Sequence, residues 1–206
     1  MGLSFFDKLN DLDVVLGSQS PRRKKLLEET GLPFRVWAMP VEEHFPAHLK
    51  GAEVAGYLSK EKAVPFIPLL SPDAILITAD TIVVAGNNIL NKAGTKQRAS
   101  EMLKTLSGKK HQVITGVSIT SVSDQKTFYE ISNVSFYPLT DEEISVYIET
   151  CKPFDKAGAY GIQEWIGSVG VEKIEGSYHN VVGLPVARLY RELKEFYKVN
   201  FASGVS

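Results

Sequence analysis

The residues of this chain best suited to chemistry begin in the stretch "VVLGSQSPRRKKLLEETG" (residues 14–31). There Ser18 and Ser20 lead into four consecutive cations, Arg22, Arg23, Lys24 and Lys25. Ser20 fits an N-cap, Pro21 the first helical position and Gly31 a stop, so the cations occupy the opening of a helix. That end carries the positive pole of the helix dipole and favours Asp or Glu; an exposed cation there is disfavoured by about 0.3–1 kcal/mol. Such local conflicts concentrate at functional sites, and a bound polyanion would resolve this one. Helix N–H groups, the hydroxyls of Ser18 and Ser20, and the guanidinium groups of Arg22 and Arg23 are together suited to phosphate oxygens. Lys24 and Lys25 fit the plainer role of a solvated basic face. The spacing is not that of a P-loop, because no Gly-Lys-Ser/Thr follows four residues after a glycine.

Further polar positions lie apart from this helix. Asp80 falls in "TADTIVV", within an apolar run, where a carboxylate is poorly solvated unless it meets a cation or metal. Capping of a following turn is the plainer alternative, and the sequence alone leaves the two readings open. Glu43 in "VEEHF", Lys62 in "SKEKA" and Lys92 in "LNKAG" are individually ordinary surface types. "DKAGAYGIQEW" and "GSYHNVVGLP" contain Gly158, Gly161, Gly176 and Gly183, which permit tight turns, and Gln163, whose amide both donates and accepts and so suits a base edge. The four histidines show no zinc spacing and no Ser-His-Asp arrangement stands out. A metal, if used, would therefore be held by carboxylates, which suits Mg²⁺ or Mn²⁺.

The elements that must carry these residues follow from periodicity and punctuation. "FRVWA" (residues 34–38) alternates as a strand, and "AEVAGYLSKEKA" (52–63) reads as a helix ended by Pro65. "AILITADTIVVAG" is a β-rich run that Asp80 is expected to break. "KQRASEMLKTLSG" puts Ala99, Met102, Leu103 and Leu106 on one helical face and stops at Gly108. "HQVITGVSITSV" and "FYEISNVSFYPL" predict two long strands with "SDQ" in the turn region between them. "TDEEISVYIET" opens with a capping box, Thr140 facing Glu143, and "PVARLYRELKEFY" is a last amphipathic helix from Pro185. Alternating helices and strands, followed by a hairpin, predict an α/β fold with a mixed central sheet, two-lobed with a cleft. The expected organisation is an N-terminal extension (1–13), one domain (14–197) and a frayed C-terminal tail (198–206).

Composition narrows the class. The 206 residues are 44% hydrophobic and 23% charged with a net charge of −1, an ordinary globular balance. Near-neutral charge and the absence of interleaved basic and aromatic residues argue against nucleic acid as a partner and favour a small anionic ligand. No apolar run reaches the ~20 residues of a membrane span, and the N-terminus lacks the pattern of a signal peptide. Cys151 is the single cysteine, which excludes an internal disulfide and suits a reducing compartment, so a cytoplasmic location is expected.

Taken in order, "SQSPRRKKLL", "VEE", "KEKA", "ADTIV", "LNK", "LSGKKHQVITGV", "LTDEEI", "DKAGAYGIQ" and "GSYHNVVGLP" resemble the Maf family of nucleoside triphosphate pyrophosphatases over residues 14–196. The resemblance implies an inosine-triphosphate-pyrophosphatase-like fold with the nucleotide in the cleft. It also implies hydrolysis of a nucleoside triphosphate to monophosphate and pyrophosphate with a divalent cation, Mg²⁺ or Mn²⁺. Ser18, Arg23, Glu43, Lys62, Asp80 and Lys92 match the family's active-site positions, with Asp80 as proton acceptor. On that reading Ser18, Ser20, Arg22, Arg23, Lys62 and Lys92 meet phosphate, and Glu43 and Asp80 hold the metal. Arg22, Thr81 and Gln163 match the branch acting on dTTP and UTP; a sister branch preferring 7-methyl-GTP has Trp where Arg22 stands. The family is compatible with a homodimer. Its historical association with septum inhibition supplies an alternative, a nucleotide-binding regulator of cell division with little turnover. One departure is local: the family commonly has Lys-Pro where this chain has Lys92-Ala93, which predicts a looser loop around Lys92.

Overall fold

The computed structural model describes residues 5–202. It contains one seven-stranded sheet in the order β2-β1-β3-β5-β6-β7, with β4 paired to β3. The strands are β1 (Asp13–Leu16), β2 (Arg35–Val36), β3 (Ala74–Ala85), β4 (Asn88–Leu90), β5 (Lys110–Thr120), β6 (Gln125–Phe136) and β7 (Val171–Glu175). β1 runs parallel to β2 and β3, whereas β4 and β7 pair antiparallel with β3 and β6. The sheet is therefore mixed, as expected. The helices are α1 (Phe5–Leu9), α2 (Pro21–Glu28), α3 (Ala52–Glu61), α4 (Lys96–Leu106), α5 (Asp141–Cys151), α6 (Trp165–Val169), α7 (Tyr178–Val182) and α8 (Val186–Asn200).

The chain divides into two compact units. Among the described residues, the first comprises residues 5–80, 116–129 and 183–202, the second residues 81–115 and 130–182. In the first, Val15, Ala63, Phe66 and Leu76 form a buried cluster against which Trp37 and Met39 pack, with the Trp37 and Phe66 rings edge to face at 5.0 Å. α8 buries Leu189, Leu193 and Phe196, and α1 sets Phe5 edge-on to Tyr190 and Tyr197. In the second, α4 buries the predicted face of Ala99, Met102, Leu103 and Leu106, and α5 buries Ile144, Tyr147 and Ile148. The capping box is present: the Thr140 hydroxyl accepts from the Glu143 N–H, and the Glu143 carboxylate accepts from the Thr140 N–H.

Two expectations are corrected. β3 is not broken at Asp80 but continues through it to Ala85. A cationic partner supplied by a distant segment removes the reason for the break, and with no turn there Asp80 caps none. The strand expected over 34–38 shrinks to Arg35–Val36, because β1, its pairing partner, ends at Leu16, opposite Val36. α2 stops at Glu28, and Gly31 follows with a positive φ of 72°. The tail expectation falls partly outside the description: α8 extends to Asn200, and residues 203–206 lie beyond the described residues.

Candidate active site

The turn leading into α2 is built by β1. Leu16 is in register with Ile77 of β3, and the Gly17 N–H then donates to the Ile77 carbonyl at 2.8 Å, carrying the pairing one residue past the strand. A Cβ at Gly17 would stand 2.9 Å from the Thr78 methyl, so the residue there must be small for the turn to hug β3. β3 continues where β1 has ended, which leaves Asp80 three residues past the last β1 register partner.

α2 starts as its residue types dictate. Ser20 is the N-cap, its hydroxyl accepting from the Arg23 N–H at 3.4 Å, and Pro21 follows. The Ser18 hydroxyl accepts from the Ser20 N–H at 3.2 Å and from Arg23 Nη1 at 3.3 Å. Arg23 Nε donates to the Gly183 carbonyl at 2.9 Å. Two points therefore fix the guanidinium plane: a hydroxyl five residues back and a carbonyl 160 residues on. Burial holds the Arg23 guanidinium below its ordinary range, as does the Arg22 charge, while Asp80 and Glu43 pull it upward. Ser18, Ser20 and Arg23 thus form one connected group in the first unit, and Arg22, Glu43 and Asp80 act on Arg23 through their charges.

Lys62 ties the carboxylates together. It is the C-cap of α3, and its ammonium donates to Glu43 Oε1 at 2.9 Å and to Asp80 Oδ1. The Lys62 and Asp80 side chains are 17% and 7% exposed and that of Glu43 33%, so water still reaches the group from the Glu43 side. α3 is held on the sheet by hydroxyls. Thr78 Oγ1 donates to the Ser59 carbonyl at 2.7 Å; the Ser59 and Ser118 hydroxyls lie 2.9 Å apart, and those of Ser118 and Thr127 2.8 Å apart. Ser59 precedes Lys62 by one helical turn and Thr78 precedes Asp80 by two residues. The hydroxyl chain therefore fixes the two charged side chains through their own backbones.

The remaining candidates belong to the second unit. Thr81 Oγ1 lies 3.0 Å from Thr115 Oγ1, and Thr115 donates to the Asn180 carbonyl at 3.1 Å. Lys92 is exposed, and its backbone forms an antiparallel bridge with Ala157. The bonds from Gly158 N–H to the Leu90 carbonyl (2.9 Å) and from Gly94 N–H to the Phe154 carbonyl (3.0 Å) flank that bridge. The segment around Lys92 is thus tied on both sides without a proline. Gln163 is exposed in a turn closed by the Glu164 N–H on the Gly161 carbonyl at 3.0 Å.

Sequence reasoning did not single out Gly183 as the carbonyl that aims Arg23, nor the Ser59, Thr78, Ser118 and Thr127 hydroxyls. The "GLP" turn was a signal for the former. The hydroxyls looked like ordinary strand and helix residues. Among the described residues, no three His, Cys, Asp or Glu side chains gather as a metal site, and no helix is long and apolar enough to cross a membrane.

The family model for Maf-like protein matches residues 13–196. A protein of Cytophaga hutchinsonii named dTTP/UTP pyrophosphatase is 48% identical over 193 residues, 94% of this chain and 88% of its own. One of Bacteroides thetaiotaomicron with the same name is 47% identical over 188 residues, 91% of this chain and 97% of its own. Among solved structures, the Staphylococcus aureus Ham1 protein aligns over 88% of this chain and 99% of its own, at 14% identity and a TM-score of 0.48. A match across nearly the whole chain, with relatives near half identity, fixes the kinship: the chain belongs to the Maf-like protein family.

Proposed function

We propose that the protein hydrolyses dTTP and UTP to the monophosphate and pyrophosphate. The observation that carries this reading is the joining of two carboxylates, Glu43 and Asp80, by one ammonium, Lys62, within the electrostatic reach of an Arg23 already aimed by Ser18 and Gly183. The family relatives named dTTP/UTP pyrophosphatase support the choice of substrate.

In the reaction, water adds to the α-phosphorus, the bond from that phosphorus to the α–β bridging oxygen breaks, and the electron pair leaves with pyrophosphate. The obstacle is electrostatic, because a triphosphate brings about four negative charges to an attack by an oxygen nucleophile. Ser18, Ser20, Arg22 and Arg23 bind phosphate oxygens at the start of α2, where backbone N–H groups and the helix dipole favour the same charge. Arg23 presents a planar fork of fixed orientation, which suits a developing phosphoryl charge better than a freely rotating ammonium does. Lys62 and Lys92 supply the further positive charge on the chain of phosphates.

Asp80 is the proton acceptor, or the group that orients the attacking water. A carboxylate is too weak a base to deprotonate free water unaided at neutral pH. The all-oxygen donor pair of Glu43 and Asp80 fits a hard divalent cation, Mg²⁺ or Mn²⁺, which these two carboxylates would hold. Such an ion would supply charge neutralisation and acidify the water. Thr81 and Gln163 are assigned to the base. An amide or hydroxyl that pairs with the O4 and N3–H edge of uracil or thymine meets the reversed pattern in cytosine. The single cysteine, Cys151, suits a cytoplasmic setting for this activity.

Pyrophosphate release with Mg²⁺ or Mn²⁺, measured across dTTP, UTP, CTP, GTP and 7-methyl-GTP, tests the reading with Asp80→Asn alongside. Selective release from dTTP and UTP, lost in the variant, is the expected result. Tight nucleotide binding without release would overturn it and leave a nucleotide-binding regulator.

A further inference from the structure

The turn bearing Gln163 is held by a buried polar network that the reaction itself does not require. Tyr147, fully buried on α5, donates its phenol O–H to Glu164 Oε2, while the phenol oxygen accepts the Gly161 N–H at 3.0 Å. The other carboxylate oxygen of Glu164 meets Lys156 Nζ at 3.1 Å, and the Lys156 side chain is only 10% exposed. A Cβ at Gly161 would stand 2.8 Å from the Glu164 carboxyl carbon. Gly161 is therefore what lets the carboxylate fold back over its own turn. Gln163 is the exposed residue in this turn, with one clamped residue two positions before it and another directly after it.

Three features set this network apart from ordinary core packing. Both ends of a four-residue turn bond to the same phenol oxygen, so one atom fixes the turn's geometry. Burial and the Glu164 charge hold the Tyr147 phenol far above its ordinary range, which keeps its proton in place for that bond. Ala159 adopts a left-handed φ of 58° two residues before Gly161, a strained backbone that persists only when its surroundings over-determine it.

We propose that Tyr147 and Glu164 are positioning residues for Gln163, and that the Tyr147–Glu164–Lys156 network thereby sets how well the protein separates uracil and thymine from cytosine. This rests on the assignment of Gln163 to the base. A side chain aimed by a single exposed turn reads a donor–acceptor pattern only if that turn holds still, and misplacement by about 1 Å is enough to cost large factors in rate.

The experiment is a double-mutant cycle on kcat/KM for UTP and CTP with Tyr147→Phe, Gln163→Ala and the pair. Tyr147→Phe keeps the ring and removes the hydroxyl. The expected outcome is a fall of about tenfold in the UTP-over-CTP ratio, carried mainly by KM for UTP, with less than about twofold further loss once Gln163 is already Ala. Glu164→Gln keeps an acceptor for the phenol and should retain most of the ratio. An equal fall in kcat for both nucleotides, or full additivity with Gln163→Ala, overturns the inference and leaves a fold-stabilising network only. A wild-type protein that is selective and a Tyr147→Phe variant that is equally selective overturn it as well. A wild-type protein that does not separate UTP from CTP instead removes the base-reading assignment, and the inference with it. If Tyr147→Phe does not fold, Glu164→Ala runs the same cycle from the other end of the bond.

Discussion

Replacing Gly116 with alanine is the sharpest test of how α3, and with it Lys62, is seated. Gly116 lies on β5, and a Cβ there would stand 2.1 Å from the Ala55 carbonyl oxygen, 2.3 Å from its carbon and 2.6 Å from the Gly56 nitrogen. All three are helix backbone, so no rotamer change relieves the clash. Ordinary contact begins at about 3.4 Å, so α3 must retreat by about 1.3 Å. Overpacking of this kind costs about 1–3 kcal/mol, and the upper end applies where only backbone can move. The same retreat stretches the hydroxyl contact between Ser59 and Ser118 and the bond from Thr78 to the Ser59 carbonyl, each worth about 1 kcal/mol net. Restriction of the unfolded chain returns about 0.4–1 kcal/mol. The expected loss is therefore about 3–5 kcal/mol by urea denaturation. Gly94→Ala is the control: its φ is +68° but nothing lies within 4 Å, so left-handed strain alone, about 1–2 kcal/mol, should appear. A Gly116→Ala loss no larger than that of Gly94→Ala would refute the close seating of α3 on β5.

Two further outcomes follow from the geometry. Arg23→Lys keeps the charge but cannot span Ser18 and Gly183 from one rigid plane, so kcat/KM for UTP should fall by about 10- to 100-fold; steady-state pyrophosphate release at wild-type levels would show that the fork has no part in the reaction. His111, with its ring among Phe136 and Tyr160 and its Nε2 2.8 Å from the Tyr160 hydroxyl, is pushed by burial down to about 4. Its unfolded counterpart, near 6.5, takes a proton first as the pH drops, so this contribution is intact above about pH 6.5 and is lost as the pH falls toward 4. From about pH 7 to about pH 5 the loss is about 2 kcal/mol, and His111→Gln should flatten that part of a urea-denaturation series; an unchanged slope would mean the ring is not held neutral.

What the sequence revealed and what it concealed divide by the range of the interaction involved. The start of α2 was legible because its determinants, Ser20, Pro21 and the cations after them, are consecutive. The buried face of α4 and the capping box of α5 were legible for the same reason. Asp80 was misread as a strand breaker because its partner, Lys62, stands 18 residues away at the end of a helix, and no local signal announces that meeting. Gly183 illustrates the extreme case. Its glycine was read as turn chemistry, and its φ of 126° agrees, yet its carbonyl also orients Arg23 across 160 residues.

The loop around Lys92 shows why a local departure in sequence need not loosen a structure. The resemblance sets a proline after the lysine, and a proline stabilises chiefly by restricting the unfolded chain, by about 0.4–1 kcal/mol. Here Ala93 occupies that position and is buried, and a ladder holds the backbone: Gly158 N–H to the Leu90 carbonyl, the bridge of Lys92 with Ala157, and Gly94 N–H to the Phe154 carbonyl. Two such bonds contribute as much as the missing ring or more, at about 0.5–1.5 kcal/mol each. They also act in the folded state, where the direction of the Lys92 side chain is decided. Residues 154–158, turns around the single bridge residue Ala157, lead into the turn carrying Gln163, so within the second unit the backbone around Lys92 is bonded to the segment that bears Gln163. Loosening Lys92 would require breaking those bonds, which the loss of a single proline does not do.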